Sequence, residues 1–246
     1  MNNFRKFSTL NNTQLENNPF VSQNTARETV LRITEPEKPA GFKEIFDIED
    51  PQQMAQAINL ANVFTQVLNA VDENDEDTFY FDVTDALEVI KNLEPKAALV
   101  EYIDETISQE RKEVSAILDP LIDLLKSMLK GDIDARTLDK IKGAVTGTFT
   151  NVEAENNNSW IFYSETTAYK VAYIYNLFFA YPNEFNTAII CMPITMTIEA
   201  QSYEEKYLFI TTSSKVSYKV RVQALTVVQG VVDTSNTALD VLSELT

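Results

Sequence analysis

The sequence predicts an α+β fold, a single-domain α/β/α sandwich in which a mainly antiparallel sheet of long strands is wrapped by two helix layers. Three observations carry this. Apolar residues recur at three- and four-residue spacing through residues 51–145, they alternate with a period of two from Trp160 onward, and one alternating segment is apolar on both faces. Helices followed by antiparallel strands make segregated elements, and a sheet apolar on both faces has to be covered on both sides.

From Pro51, the residues Met54, Ala57, Ile58, Ala61, Phe64, Leu68 and Val71 mark an amphipathic helix. Pro51 suits its first turn, where a missing N–H loses no partner. A second helix is expected over 85–93, and a third after Glu94-Pro95 on Leu99, Ile103 and Ile107. A fourth carries Val114, Ile117, Leu118, Leu121, Leu125, Met128 and Leu129, with a kink or break at Pro120 and a stop at Gly131. A shorter helix runs from Ala135 towards Val145 and on to Thr150, making five in all.

The clearest strand has Ile190, Met192, Ile194, Met196 and Ile198 on one face and Cys191, Pro193, Thr195, Thr197 and Glu199 on the other. Val216, Tyr218, Val220 and Val222 alternate with Ser217, Lys219 and Arg221 in a second. In a third, over 169–181, Val171, Tyr173, Tyr175, Leu177 and Phe179 share one face, with Ile174 and Phe178 on the other. Pro182-Asn183-Glu184, residues 202–206 and residues 211–214 are the expected turns. The chain thus divides into an N-terminal segment (1–34), polar and flexible at first with a strand-like stretch over 27–34, a mainly helical part (51–145), long antiparallel strands (159–228) and a C-terminal tail (229–246).

Composition removes several functions. The 246 residues contain no histidine and one cysteine, Cys191, so Ser-His-Asp and Cys-His catalysis, histidine metal ligands and intrachain disulfides are excluded. A net charge of -17 opposes nucleic acid and anionic lipid. Residues 35–155 carry 11 Lys/Arg against 27 Asp/Glu, whereas residues 156–246 carry 5 against 8, so the strand-rich part is nearly neutral. Five glycines, none in a phosphate-cradling pattern, leave no nucleotide motif, and no cofactor is expected. The polar, Asn-rich start and the lack of a long apolar run predict a protein made in the cytoplasm without signal peptide or transmembrane helix.

The acidic run Asp72-Glu73-Asn74-Asp75-Glu76-Asp77 has Asp77 where a calcium loop needs glycine and Val83 where it needs glutamate, so it reads as a solvated loop. No spacing singles out a catalytic carboxylate pair, and the chain is not expected to be an enzyme. Cys191 reads as a buried structural thiol. Strands of roughly 13 residues exceed the 9 to 11 or so that cross a bilayer, so they are long enough to span one if the helices left; a twisted sheet that never moves fits the same pattern. The aromatics Trp160, Phe162, Tyr173 and Tyr175 fit either a core or a membrane interface.

Several ordered blocks resemble the Cyt cytolytic δ-endotoxins of Bacillus. They are the run from Gln23 to Ile33, Gln56-Ala-Ile-Asn-Leu-Ala-Asn-Val-Phe64, Gly147-Thr-Phe-Thr-Asn-Val152 leading to Trp160-Ile-Phe162, and Tyr175-Asn-Leu-Phe178. Cys191-Met-Pro193, Leu208-Phe-Ile210, Ser217-Tyr218 and Gln223-Ala-Leu225 follow in the same order. The acidic run at Asp72 to Asp77, Pro120 within a helix and the turn Pro182-Asn183-Glu184-Phe185-Asn186 depart from the family pattern.

The resemblance implies an insecticidal, pore-forming or membrane-permeabilising protoxin, deposited as a parasporal crystal during sporulation, activated by gut proteases and acting extracellularly on target membranes. It implies direct binding to unsaturated zwitterionic phospholipids, a protoxin homodimer using the 27–34 strand, a homo-oligomer in the membrane and synergy with Cry toxins. Arg27, Arg32 and Lys38 become the expected activation cleavage points around that propeptide strand. Ile190, Met192, Ile194, Met196, Ile198, Val216, Tyr218, Val220 and Val222 become the expected membrane-inserting residues, and closing several copies into an oligomer would remove the sheet edges. The alternative on the same fold is a non-lytic crystal-forming storage or helper protein.

Overall fold

The computed structural model describes residues 41–69, 83–129, 133–152, 158, 160–166, 170–202 and 216–231. Its elements in chain order are β1 (Lys43–Phe46), α1 (Pro51–Thr65) with a 3-10 turn at Gln66–Asn69, α2 (Val83–Asn92), β2 (Ala97–Lys112), α3 (Ser115–Met128), α4 (Ala135–Thr150), β3 (Ile161–Thr166), β4 (Lys170–Pro182), β5 (Ala188–Ser202) and β6 (Val216–Gly230). The strands form one sheet in the order β1-β4-β5-β6-β2, with β3 also pairing β4. β4, β5 and β6 are antiparallel neighbours, whereas β1 runs parallel to β4 along Leu177–Ala180, leaving Val171–Tyr175 of the same edge to β3.

Two helix pairs cover the sheet. α3 and α4 pack on one face, where Ile117, Leu121, Leu125, Val145 and Phe149 meet Tyr173, Tyr175, Met192, Ile194, Met196, Val220 and Val222 in one core. α1 and α2 pack on the other, where Ala57, Leu60, Phe64 and Ile90 meet Ile174, Phe178, Ile189, Cys191, Leu225 and Val227. The Phe178 ring there touches three others edge-on or tilted, with centroids 5.7 Å from Phe42, 6.3 Å from Phe46 and 6.2 Å from Phe64. The predicted α/β/α sandwich is the observed one.

α1 and α4 begin where the sequence places them because their first turns are capped. Asp50 Oδ1 accepts from the Gln52 and Gln53 amides at 2.9 Å ahead of Pro51, and Asp134 Oδ1 accepts from the Thr137 amide at 2.7 Å. α3 runs through Pro120 without a break. Proline removes the bond to the Ala116 carbonyl, but Pro120 lies on the exposed side of the helix, while Ile117, Leu121 and Leu125 opposite are wholly buried.

The expected third helix is instead the edge strand β2, so the helices do not all precede the strands and four α-helices, not five, lie among the described residues. Leu99, Ile103 and Ile107 are four apart, a spacing that suits an even strand period as well as a helix turn. A bulge between Leu99 and Glu101 then changes the face: Ala97 and Leu99 pack with α1 and α2, Ile103 and Ile107 with α3 and α4. β1 was not anticipated, and β6 continues to Gly230, into the segment read as tail. Val71, the acidic run at 72–77, Gly131, the turns at 203–206 and 211–214 and the strand expected at 27–34 lie outside the described residues.

Candidate functional site

The strands β4, β5 and β6 are 13, 15 and 15 residues long, and their registers put the predicted inserting residues side by side. Met196 lies between Tyr175 and Val222, Ile194 between Leu177 and Ala224, and Ile198 between Tyr173 and Val220. Of the predicted set, Met192, Ile194, Met196, Ile198, Val216, Tyr218, Val220 and Val222 are buried and Ile190 is half-buried, all in the core beneath α3 and α4. In this conformation the stripe faces helices.

The aromatics divide. Tyr173 and Tyr175 are fully buried on the same face; Tyr173 Oη donates to the Thr148 carbonyl of α4 at 2.8 Å, and Lys43 Nζ of β1 donates to Tyr175 Oη at 3.2 Å. These two therefore hold helix and edge strand to the sheet and are not at a surface. Trp160 is half-buried against that core, and Phe162 takes its backbone place in β3 opposite Ile174. Arg27, Arg32 and Lys38 lie outside the described residues.

The opposite face is polar across its middle, which the sequence showed only as a lone asparagine in an apolar run. Asn176 of β4, Thr195 of β5, Gln223 of β6 and Asp104 of β2 are cross-strand neighbours in one row. Gln223 Nε2 donates to Asp104 Oδ2 at 3.3 Å, and Arg221 grips both oxygens of Asp104 at 2.8 and 2.6 Å. The Arg221 hydrogen bond is the main reason the Asp104 carboxyl is held below its ordinary value. Asn176 and Thr195 are buried, and neither the side-chain amide of the first nor the hydroxyl of the second has a hydrogen-bond partner. Beyond this row, Glu199 lies between Lys170 and Lys219 at 3.6 and 3.7 Å.

Three groups that titrate above neutrality are withdrawn from easy ionisation. Burial pushes the Cys191 thiol and the Tyr181 and Tyr218 phenols well above their ordinary values. Cys191 is wholly buried on the α1/α2 face, as a structural thiol.

At one corner, Asp47 after β1 is bound by α4. Lys140 Nζ bonds Asp47 Oδ1, Thr137 Oγ1 donates to Oδ2 at 2.6 Å, and Arg136 reaches both Asp47 and Glu49. Burial alone would raise the Asp47 pKa, but Lys140, Thr137 and Arg136 together lower it. This clasp ties the α3/α4 layer to the chain entering α1. Among the described residues no helix is long and apolar enough to cross a membrane.

A family model described as Bacillus thuringiensis toxin matches residues 20–246. The type-1Ba cytolytic delta-endotoxin of Bacillus thuringiensis subsp. neoleoensis is 32% identical over 233 residues, which cover 94% of this chain and 88% of the relative. The type-1Aa cytolytic delta-endotoxin of subsp. morrisoni is 32% identical over 231 residues, 92% and 93% of the two chains. The crystal structure of the activated Cyt2Ba monomer from subsp. israelensis matches with a TM-score of 0.69 at 30% identity, covering 78% of this chain and 100% of that one. The chain belongs to the Bacillus thuringiensis toxin family, among the Cyt cytolytic delta-endotoxins.

Proposed function

We propose that this toxin permeabilises cell membranes by releasing its helix layers and placing β4, β5 and β6 in the bilayer. The observation that carries the reading is the continuous apolar face shared by three adjacent strands of 13 to 15 residues. At about 3.3 Å per residue the shortest is roughly 43 Å long, and tilted by about 45° it covers about 30 Å, the thickness of the hydrocarbon core. Lipid would replace α3 and α4 against Ile194, Met196 and Val222. Water would reach the other face, where Asn176 and Thr195 wait without partners and Glu199, Lys219 and Arg221 are charged.

A lone sheet has open edges that a bilayer does not tolerate, so several copies would join in the membrane. The near-neutral strand-rich part favours zwitterionic over anionic lipid. The relatives are cytolytic delta-endotoxins, which supports a cytolytic activity, and the activated Cyt2Ba monomer supports a protoxin that is trimmed, for which Arg27, Arg32 and Lys38 are the proposed cleavage points. A parasporal crystal, a protoxin dimer and synergy with Cry toxins complete the reading.

Dye release from phosphatidylcholine vesicles, before and after trypsin, tests it. The expected result is release that increases after trimming, with segments of 170–202 and 216–231 protected from a second protease by the vesicles. Intact vesicles in both arms would overturn the reading and favour the storage or helper protein.

A further inference from the structure

We infer that the molecule meets the bilayer with the β4–β5 hairpin end first, Phe185 entering the headgroup layer, while the end carrying Lys170, Glu199, Lys219 and Arg221 stays on the aqueous side. This rests on the proposed membrane activity and adds its direction.

Phe185 is 70% exposed, the most exposed of the large apolar side chains among the described residues. It is presented by a well-tied turn. Asn183 Oδ1 accepts from the amides of Thr187 and Ala188 at 2.8 and 3.1 Å, Asn186 takes the left-handed conformation at φ 55°, and Gln53 Nε2 of α1 donates to the Asn186 carbonyl at 3.1 Å. An aromatic ring held outward on an ordered turn, with no core to join, has the form of an interfacial anchor.

The sheet behind it is graded along its strands. Near the hairpin both faces are apolar: Phe179, Tyr181 and Met192 on one, Phe178, Cys191 and Leu225 on the other. β4 carries no charge from Val171 to Pro182, β5 none from Ala188 to Ile198, and β6 none from Val222 to Gly230. All the charged residues of these strands gather at the far end. These uncharged strand segments enter lipid at little desolvation cost, and the exposed Glu184 beside Phe185 stays among the headgroups, whereas a lysine or arginine drawn to the bilayer midplane is costly.

The test uses the full chain and phosphatidylcholine vesicles. Phe185→Asp should need about tenfold more lipid for half-maximal binding with an unchanged thermal midpoint, and Phe185→Trp should bind like the parent. A polarity-sensitive dye attached at Phe185→Cys should shift to the blue and be quenched by lipid-borne quenchers, while the same dye at Lys219→Cys stays aqueous. Labelling before vesicles are added leaves the buried Cys191 untouched. Parent-like binding by Phe185→Asp, or quenching at position 219 and not at 185, overturns this inference alone. No binding by the parent overturns it together with the proposed function, and binding without leakage removes only the latter.

Discussion

The two faces of the central sheet are covered alike and built differently. Under α3 and α4 the strands present apolar side chains from Val171 to Tyr181, from Met192 to Ala200 and from Val216 to Ala224. Under α1 and α2 the apolar contacts end at Ile174, and Asn176, Thr195 and Gln223 cross the sheet beside them. A sheet with no second life gains by making both faces greasy, because a buried polar atom without a partner costs about 1 to 3 kcal/mol. The unpartnered Asn176 and Thr195 of this row are therefore a cost to the folded monomer that a water-facing sheet would recover.

The largest test of that contrast compares adjacent positions of β5. Ile194→Ala, beneath α3 and α4, should lower unfolding free energy by about 3 kcal/mol, since the side chain is wholly buried among large neighbours. Thr195→Val, facing the other way, keeps the shape and removes a hydroxyl that has no partner, so it should be neutral or stabilising by up to about 1 kcal/mol. Urea denaturation of both variants gives the comparison; equal losses would erase the distinction between the faces. If the polar face later meets water, Thr195→Val should also slow vesicle leakage.

The clasp at Asp47 sharpens the comparison from the side of the helices. Its carboxylate is 8% exposed and holds Lys140, Thr137 and Arg136 of α4. Asp47→Asn should cost about 2 kcal/mol at pH 7. The folded-state pKa is lowered, so the contribution is present above the unfolded value near 4 and is lost as pH falls through the folded one. Parent and variant should therefore converge in urea midpoint as pH falls below about 4; a gap that persists in acid would show that the clasp does not depend on the charge.

The long strands were legible because each face of β4, β5 and β6 has its own composition, and period two survives whichever face is buried. β2 was not, for two physical reasons. Its apolar residues are four apart, which both periods accept, and the bulge after Leu99 hands the stripe from one helix layer to the other. Its three glutamates, with Gln109, Arg111 and Lys112, are also good helix formers, and pairing with β6 outweighs that. Pro120 does not break α3, because it lies on the exposed side while the apolar stripe opposite holds the helix to the sheet. In the site, the inserting stripe was readable from alternation alone. The isolation of Asn176 and Thr195 was not, because whether a polar side chain finds a partner depends on the neighbouring strands.

The smallest effect at neutral pH concerns two hydroxyls beneath α3 and α4. Tyr218 packs its ring edge-on against Phe149, with centroids 5.3 Å apart, and neither its Oη nor that of Tyr181 has a hydrogen-bond partner. Tyr218→Phe should thus gain up to about 1 kcal/mol at pH 7. Burial raises the folded-state pKa of both phenols and of Cys191. Their stabilising contribution is complete below the unfolded values, near 10 for tyrosine and 8.5 for cysteine, and is lost as pH rises beyond them. Each group then costs the folded state about 1.4 kcal/mol per pH unit. Alkali should accordingly loosen the toxin from inside the sheet, with Tyr181 and Tyr218 acting on the face that lipid would occupy and Cys191 on the other. Tyr218→Phe should move the alkaline unfolding midpoint upward, and the gap from the parent should widen above about pH 10. A constant gap from pH 7 to pH 11 would mean that the Tyr218 phenol ionises as freely in the folded protein as in the unfolded chain, leaving Tyr181 and Cys191 to carry the alkaline response.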